Sequence, residues 1–449
     1  IALLARFLDA DAFGLYASVT AVTMLLTTLA TSAFPDYLVV TEDENGYVRS
    51  TLYFLSAALA ATLFAVYFAA APMLSRWLHD GTTADLFRIS GLQILTAGLS
   101  ENFRASLRKR MHFRPVAVAG ITGTVAGVLS SLFLVTFIQD AHVLVYSWIL
   151  NNLILAGMLF RAAWHHDVLP RRVFDRSQIQ PFLALGRWRL LSYVLNILNS
   201  RFDVLLITWV LGAGAAGLYF VAWRIVMQPL SRIMPIITQL ALPVFADIEH
   251  DRGLMQKAYR KASQLTALIL APLILGLIVI FPLINKLILG NGWEQVSVLV
   301  QILAILVLVR VFTPLTGAIM LALKDFKWPL RWQLALFLIT TPSVLVVSQI
   351  SPTAYSLAVT IVFVQSAIVL LMYARFLRLF QVPHARENVM DILAPLALGA
   401  VMAVLLIAAK SYLTKWLSDP MAAGVLIILG TAFFGAGSVM ILKRHVEVL

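Results

Sequence analysis

Residues 262–285 read ASQLTALILAPLILGLIVIFPLIN, and Lys261 and Lys286 close the run at either end. No charged side chain interrupts it. About 20 apolar residues in α-helical form are enough to cross the hydrocarbon core of a bilayer. A strand that crosses a membrane as part of a barrel is half that length and alternates in polarity. Backbone groups in lipid must be paired inside the spanning structure, so a continuous apolar run of this length reads as a helix.

The same pattern recurs along all 449 residues, of which 61% are hydrophobic and 12% charged; the mean hydropathy is +0.89. Soluble domains carry about 25% charged residues. A soluble fold of this size hides only about 75% of its surface, so lipid must cover the remainder. The expected fold class is an all-α membrane protein of fourteen helices. The first survives only as its tail, 1–8, with its start expected upstream of Ile1. The others are expected at 13–34, 51–78, 85–110, 115–138, 142–163, 182–210, 214–241, 257–288, 294–323, 329–349, 353–378, 391–412 and 419–442. Pro229, Pro235, Pro243, Pro272, Pro282 and Pro314 are expected to interrupt three of them as kinks.

Lys and Arg exceed Asp and Glu by 34 to 22. A pI near 10 invites a nucleic-acid reading, which the placement of the bases excludes. They fall in alternate short loops, as membrane orientation requires. One set holds Arg104, Arg108, Lys109, Arg110 and Arg114; Arg161, Arg171, Arg172, Arg176, Arg187 and Arg189; Arg252, Lys257, Arg260 and Lys261; Lys324, Lys327 and Arg331; Arg375, Arg378 and Arg386; and Lys443 and Arg444. The intervening loops are nearly free of bases, the weakest member being the loop with Glu42, Asp43, Glu44 and Arg49. Both termini are therefore expected on the cytoplasmic side. The absence of cysteine excludes disulfides and thiolate metal ligands. The eight histidines sit in loops or at their edges, with no metal-ligand spacing among them.

An internal repeat organises the chain. Residues 8–16 read LDADAFGLY and residues 211–219 read LGAGAAGLY, with six of nine positions identical. Gln93-Ile94-Leu95 recurs as Gln301-Ile302-Leu303, and Phe113-Arg114-Pro115 as Phe326-Lys327-Trp328-Pro329. Six helices lie in each copy, so the copies share one orientation, an arrangement that transporters use around a central site. The expected organisation is an N-terminal lobe at 1–163, a cytoplasmic linker at 164–181, a C-terminal lobe at 182–378 and two extra helices at 391–442.

Charges inside apolar helices mark functional candidates, because they are costly unless paired or wet. Arg201, Arg224, Arg232 and Arg310 qualify, with Asp203 and Glu101 as the acids. Ser192, Asn196, Asn199 and Asp203 follow one another at steps of four, three and four, which puts them on one helix face. Arg201 points away from that face. Arg224, Gln228 and Arg232 form a ladder at steps of four, and Gln93, Thr96, Ser100 and Arg104 form another stripe. Arg binds phosphate oxygens in a bidentate fork, and the Asn, Gln, Ser and Thr groups suit sugar hydroxyls. These residues therefore read as a cationic cavity. The competing reading is that Asp203 and Arg224 pair only to hold two helices together.

The chain resembles a family, the bacterial oligosaccharide flippases and exopolysaccharide or O-antigen exporters. They belong to the superfamily that also holds multidrug extruders and peptidoglycan-precursor flippases. The resemblance is carried by Ala5-Arg6-Phe7-Leu8 running into Phe13-Gly14-Leu15-Tyr16, and by FRASLRKRMHFR at 103–114. It continues through Phe202-Asp203, Leu211-Gly212, Gly217-Leu218-Tyr219, Leu242-Pro243-Val244-Phe245 and LGNGW at 289–293. It implies a two-lobed, V-shaped inner-membrane transporter of undecaprenyl-pyrophosphate-linked oligosaccharide, with no cofactor and with polysaccharide polymerase or export machinery as candidate partners. Two alternatives are a small-molecule exporter and a membrane glycan polymerase or glycosyltransferase. Against the enzyme stand the short loops on the base-poor side, which hold no acid–base or metal constellation.

Overall fold

The computed structural model describes residues 3–31, 38, 46–78, 81, 83–248, 250–310, 314–322, 327–379 and 385–446. The expected features at Glu42, Asp43, Glu44, Lys324 and Phe326 lie outside that set. Every regular element among the described residues is helical. After a short 3-10 turn at Leu4–Arg6 come α1 (Ala10–Thr31), α2 (Tyr47–Trp77), α3 (Ala84–Ser90), α4 (Leu92–Lys109), α5 (Phe113–Leu134), α6 (Ala141–His165) and α7 (Ile179–Leu211). They are followed by α8 (Ala213–Asp247), α9 (Arg252–Leu289), α10 (Glu294–Arg310), α11 (Pro314–Ala322), α12 (Lys327–Ile350), α13 (Ala354–Leu379), α14 (Ala385–Leu413) and α15 (Asp419–Val446). Twelve of the described helices are long and apolar enough to cross a membrane. The protein is thus an all-α membrane protein.

One expected helix is divided: the segment read as 85–110 breaks at Gly91 into α3 and α4. The segment read as 294–323 is described on either side of residues 311–313, as α10 and α11. Pro314 is the first described residue after 311–313. The helices run on through the other prolines. Pro229, Pro235 and Pro243 lie inside a continuous α8, and Pro272 and Pro282 inside a continuous α9. Membrane helices tolerate proline because neighbours and local adjustment satisfy the freed carbonyl.

The chain forms two compact units, Phe7–Gly217 and the remainder, Ile1–Arg6 with Leu218–Leu449. In the first, α5 packs on α6, α2 and α6 on α4, and α1 along α7. Small and hydroxylated residues make these contacts, as expected where lipid removes any hydrophobic drive for helices to associate. Thr23, Tyr67 and Ser90 form a closed hydroxyl triangle with edges of 2.8, 3.0 and 3.0 Å joining α1, α2 and α3. The Ser56 hydroxyl donates to Gly98 O at 3.0 Å and accepts from Asn102 Nδ2, tying α2 to α4. Ser18 and Thr208 hydroxyls meet at 2.6 Å between α1 and α7.

Gly212 makes the whole turn from α7 into α8, at φ +86°. That left-handed backbone strains any residue with a Cβ. Immediately beyond it, the first turn of α8 lies against the first turn of α1. Gly14 and Gly217 are each the fifth residue of their helix. A Cβ on Gly14 would stand 1.8 Å from Ala213 O, and one on Gly217 would stand 1.7 Å from Ala10 O. The two nonapeptides of the sequence repeat are therefore in reciprocal backbone contact.

In the second unit α9 is the hub, packing on α14, α15 and α10, while α13 packs on α10 and α12. The first of the two extra helices, α14, is fastened there by an ion pair, Arg260 Nε to Asp391 Oδ2 at 2.6 Å, with Asp391 buried. The LGNGW turn also finds its partner. Trp293 Nε1 donates to Ala5 O at 2.8 Å, Asn285 Nδ2 donates to Trp293 O at 2.7 Å, and Arg6 donates to Leu287 O.

Candidate functional site: a cationic helix face

The second unit carries three exposed candidate residues on one helix. Arg224, Gln228 and Arg232 are all exposed on α8, and steps of four put them on one face. At 1.5 Å per residue, Arg224 lies about 16 Å and Arg232 about 28 Å along the helix from Ala213. Were the α7–α8 turn at the edge of a hydrocarbon core about 30 Å thick, Arg224 would fall near mid-depth and Arg232 near the far edge. The surrounding helix, Ala213–Phe245, has the hydropathy of a membrane span. An Arg directed at hydrocarbon there is too costly to keep, so this face must meet water or a polar partner.

Arg310 joins α8 from α10, beside this face. Its Nη2 donates to Gln365 Oε1 at 2.7 Å, and its guanidinium lies 5.3 Å from the centroid of the Trp223 ring. Its Nη1 lies 3.8 Å from Met227 Sδ. Trp223 and Met227 each precede a member of the exposed ladder, Arg224 and Gln228, by one residue. The charge of Arg310 is thus held half-buried against the ladder helix by a cation–π contact and a buried amide. Gln365, Trp223 and Met227 were missed in the sequence reading. Gln365 had a usable signal, being a lone amide within the apolar run of α13 while Arg310 needs an acceptor.

The first unit arranges its candidates differently. On α7, Asn196 is exposed, Ser192, Asn199 and Arg201 are half-buried, and Asp203 is 8% exposed. Asp203 Oδ1 accepts from Val204 N at 2.8 Å. On α4, Ser100 is buried and Gln93 is half-buried, its Oε1 without a hydrogen bond among the described residues. Arg104 forms an ion pair with Glu101 at 2.8 Å, so its charge is matched within its own helix. The structure therefore gathers Arg224, Gln228, Arg232 and Arg310 around α8, and sets Asp203 and Ser100 into helix packing.

Residues 3–298 match a family model described as "Polysaccharide biosynthesis protein". The chain belongs to this family. Among curated relatives, it is 26% identical to the teichuronic acid biosynthesis protein TuaB of Bacillus subtilis (strain 168), over 64% of this chain and 59% of TuaB. It is 24% identical to the lipopolysaccharide biosynthesis protein WzxC of Escherichia coli (strain K12), over 71% of this chain and 65% of WzxC. The chain thus spans less than two thirds of the length of these family members. Its fold is similar to that of the lipid II flippase MurJ, solved in an inward closed conformation. The TM-score is 0.79 over 99% of this chain and 95% of MurJ, at 14% identity.

Proposed function

We propose that this protein is a flippase that carries undecaprenyl-pyrophosphate-linked oligosaccharide units across the bacterial inner membrane for polysaccharide assembly. The observation that carries this reading is the exposed Arg224–Gln228–Arg232 face on an apolar spanning helix. Fixed guanidinium groups suit a diphosphate, which offers only acceptors, and Arg meets phosphate oxygens in pairs. The same face repels the cationic compounds that a drug exporter would carry. The names of TuaB and WzxC support a role in building surface polysaccharide. The likeness to MurJ supports a fold able to flip a lipid-linked substrate. Transport without covalent chemistry, and a connection to polymerase or export machinery, belong to this proposal.

Deleting the gene tests it. Lipid-linked oligosaccharide is expected to accumulate on the cytoplasmic leaflet while the surface polysaccharide disappears. Accumulation on the outer leaflet, or an unchanged polysaccharide, sinks the proposal.

The proposal includes fourteen helices, arranged as two parallel six-helix copies in a V with a final pair beside them, and both termini cytoplasmic. Single cysteines report on this cleanly, because the chain has none of its own. Cysteine at Gln139 or Ser351, both exposed, should react with an impermeant maleimide applied from the periplasmic side. Cysteine at Arg110 or Arg172 should react only after the inner membrane is opened. The reverse pattern at any of these positions overturns the orientation.

A further inference from the structure

A recess of about 620 Å³ opens in the second unit between α12 and α13, lined by Trp332, Leu371, Ala374, Arg375 and Arg378. Leu371, Ala374, Arg375 and Arg378 are spaced so that they share one face of α13, and all four are exposed. Trp332 closes the recess from α12. Its indole is anchored from behind by Trp328, at 5.6 Å between ring centroids, and Trp328 rests in turn on Phe376 at 6.3 Å. Arg331, also exposed, precedes Trp332.

We infer that this recess binds the headgroup of an anionic phospholipid, its phosphate on Arg375 and Arg378 and its glycerol end against Trp332. Depth supports a lipid. Arg375 lies four residues from the end of α13 and Trp332 five from the start of α12, within about 8 Å of each helix end. That is the headgroup level, where Trp and Arg collect in membrane proteins. Toward mid-membrane the two helices continue with exposed Leu334, Leu338 and Phe363, a surface for acyl chains.

Chemistry selects the headgroup. Among the described residues, the lining side chains supply guanidinium and indole N–H donors and no acceptor. A phosphate diester is an acceptor alone, whereas a sugar needs both kinds of partner. Neither Arg375 nor Arg378 has a hydrogen bond or ion pair among the described residues. Arginines at a helix end usually snorkel into the general headgroup layer. Their place at an open recess distinguishes these two, because basic pockets between spanning helices hold individual anionic headgroups. Bound lipid there would fix the depth of α12 and α13.

The purified protein in detergent tests this by native mass spectrometry with added phosphatidylglycerol, phosphatidylcholine, undecaprenyl diphosphate or inorganic phosphate. Wild type is expected to retain phosphatidylglycerol about tenfold over phosphatidylcholine, with inorganic phosphate in excess failing to displace it. The Arg375→Gln/Arg378→Gln protein should show almost no preference. Arg375→Lys/Arg378→Lys, which keeps the charge and serves if the glutamine variant does not fold, should fall between. A wild-type ratio in a folded glutamine variant overturns the proposal. So does retention of undecaprenyl diphosphate without retention of phosphatidylglycerol, or complete displacement of the lipid by inorganic phosphate.

Discussion

Alanine at Gly14 or at Gly217 is expected to destabilise the protein severely, with a lower melting temperature in detergent and less protein in the membrane. A Cβ at Gly14 would lie 1.8 Å from Ala213 O, and one at Gly217 would lie 1.7 Å from Ala10 O. Both obstacles are backbone atoms, so no side chain can rotate away. The helices must separate by roughly 1.5 Å to restore contact distance, and overpacking of even smaller size costs about 1–3 kcal/mol. Separation also stretches the neighbouring Ser18–Thr208 hydrogen bond between α1 and α7. Gly120 and Gly157 provide controls within helices, since a Cβ there meets nothing within 4 Å. Alanine at those positions should be neutral or slightly stabilising, given its better helix propensity. Wild-type melting of both Gly14→Ala and Gly217→Ala would refute the close crossing.

The geometry at this crossing has a further property. Gly14 is blocked by Ala213 while Gly217 is blocked by Ala10, and both pairs are related by the 203-residue offset of the sequence repeat. Residue i meeting the equivalent of j, while j meets the equivalent of i, marks a contact lying on a two-fold relation. That reciprocity supports the proposed parallel repeat at its best-matched nonapeptide. It also explains why the match is tightest there, since two backbones in contact leave no room for variation at either glycine.

Helix positions were legible in the sequence because lipid imposes a simple rule. Apolar runs had to be long, and the expected 115–138 and 142–163 became Phe113–Leu134 and Ala141–His165. The break at Gly91 was not legible, because hydropathy is indifferent to a backbone interruption inside a polar-striped segment. Helical spacing likewise fixed the angle of each polar residue about its own helix. It placed Arg224, Gln228 and Arg232 together on one exposed face. It could not say what faces a side chain from another helix. The pairing of Arg310 with Gln365 spans 55 positions, and the Trp293 bond to Ala5 spans 288. The ion pair of Arg104 with Glu101 was within reach of sequence, since residues three apart on a helix are neighbours.

Substitution of Arg224 separates a substrate-binding role from a structural one. The side chain is exposed, unlike the half-buried Arg310 with its amide and indole contacts. Arg224→Ala should therefore leave insertion and abundance near wild type. Export, measured as surface polysaccharide per inserted protein, should fall by about ten- to a hundredfold, because a hydrogen bond to a charged group contributes about 1.5–3 kcal/mol and tenfold corresponds to about 1.4 kcal/mol. Arg224→Lys should keep part of the activity, since the charge persists but the two-pronged donor geometry is lost. If Arg224 serves instead to pair with Asp203, Arg224→Ala and Asp203→Ala should each lower abundance, because a single removal leaves the other charge uncompensated. The double substitution should then restore it in part. Asp203 is buried and bonded to Val204 N, so Asp203→Ala alone is expected to lower abundance in either case. The deciding comparison is therefore the double substitution, which rescues abundance only under pairing. Wild-type export by a stably inserted Arg224→Ala protein would remove this residue from the site and leave the charge of the α8 face to Arg232 alone.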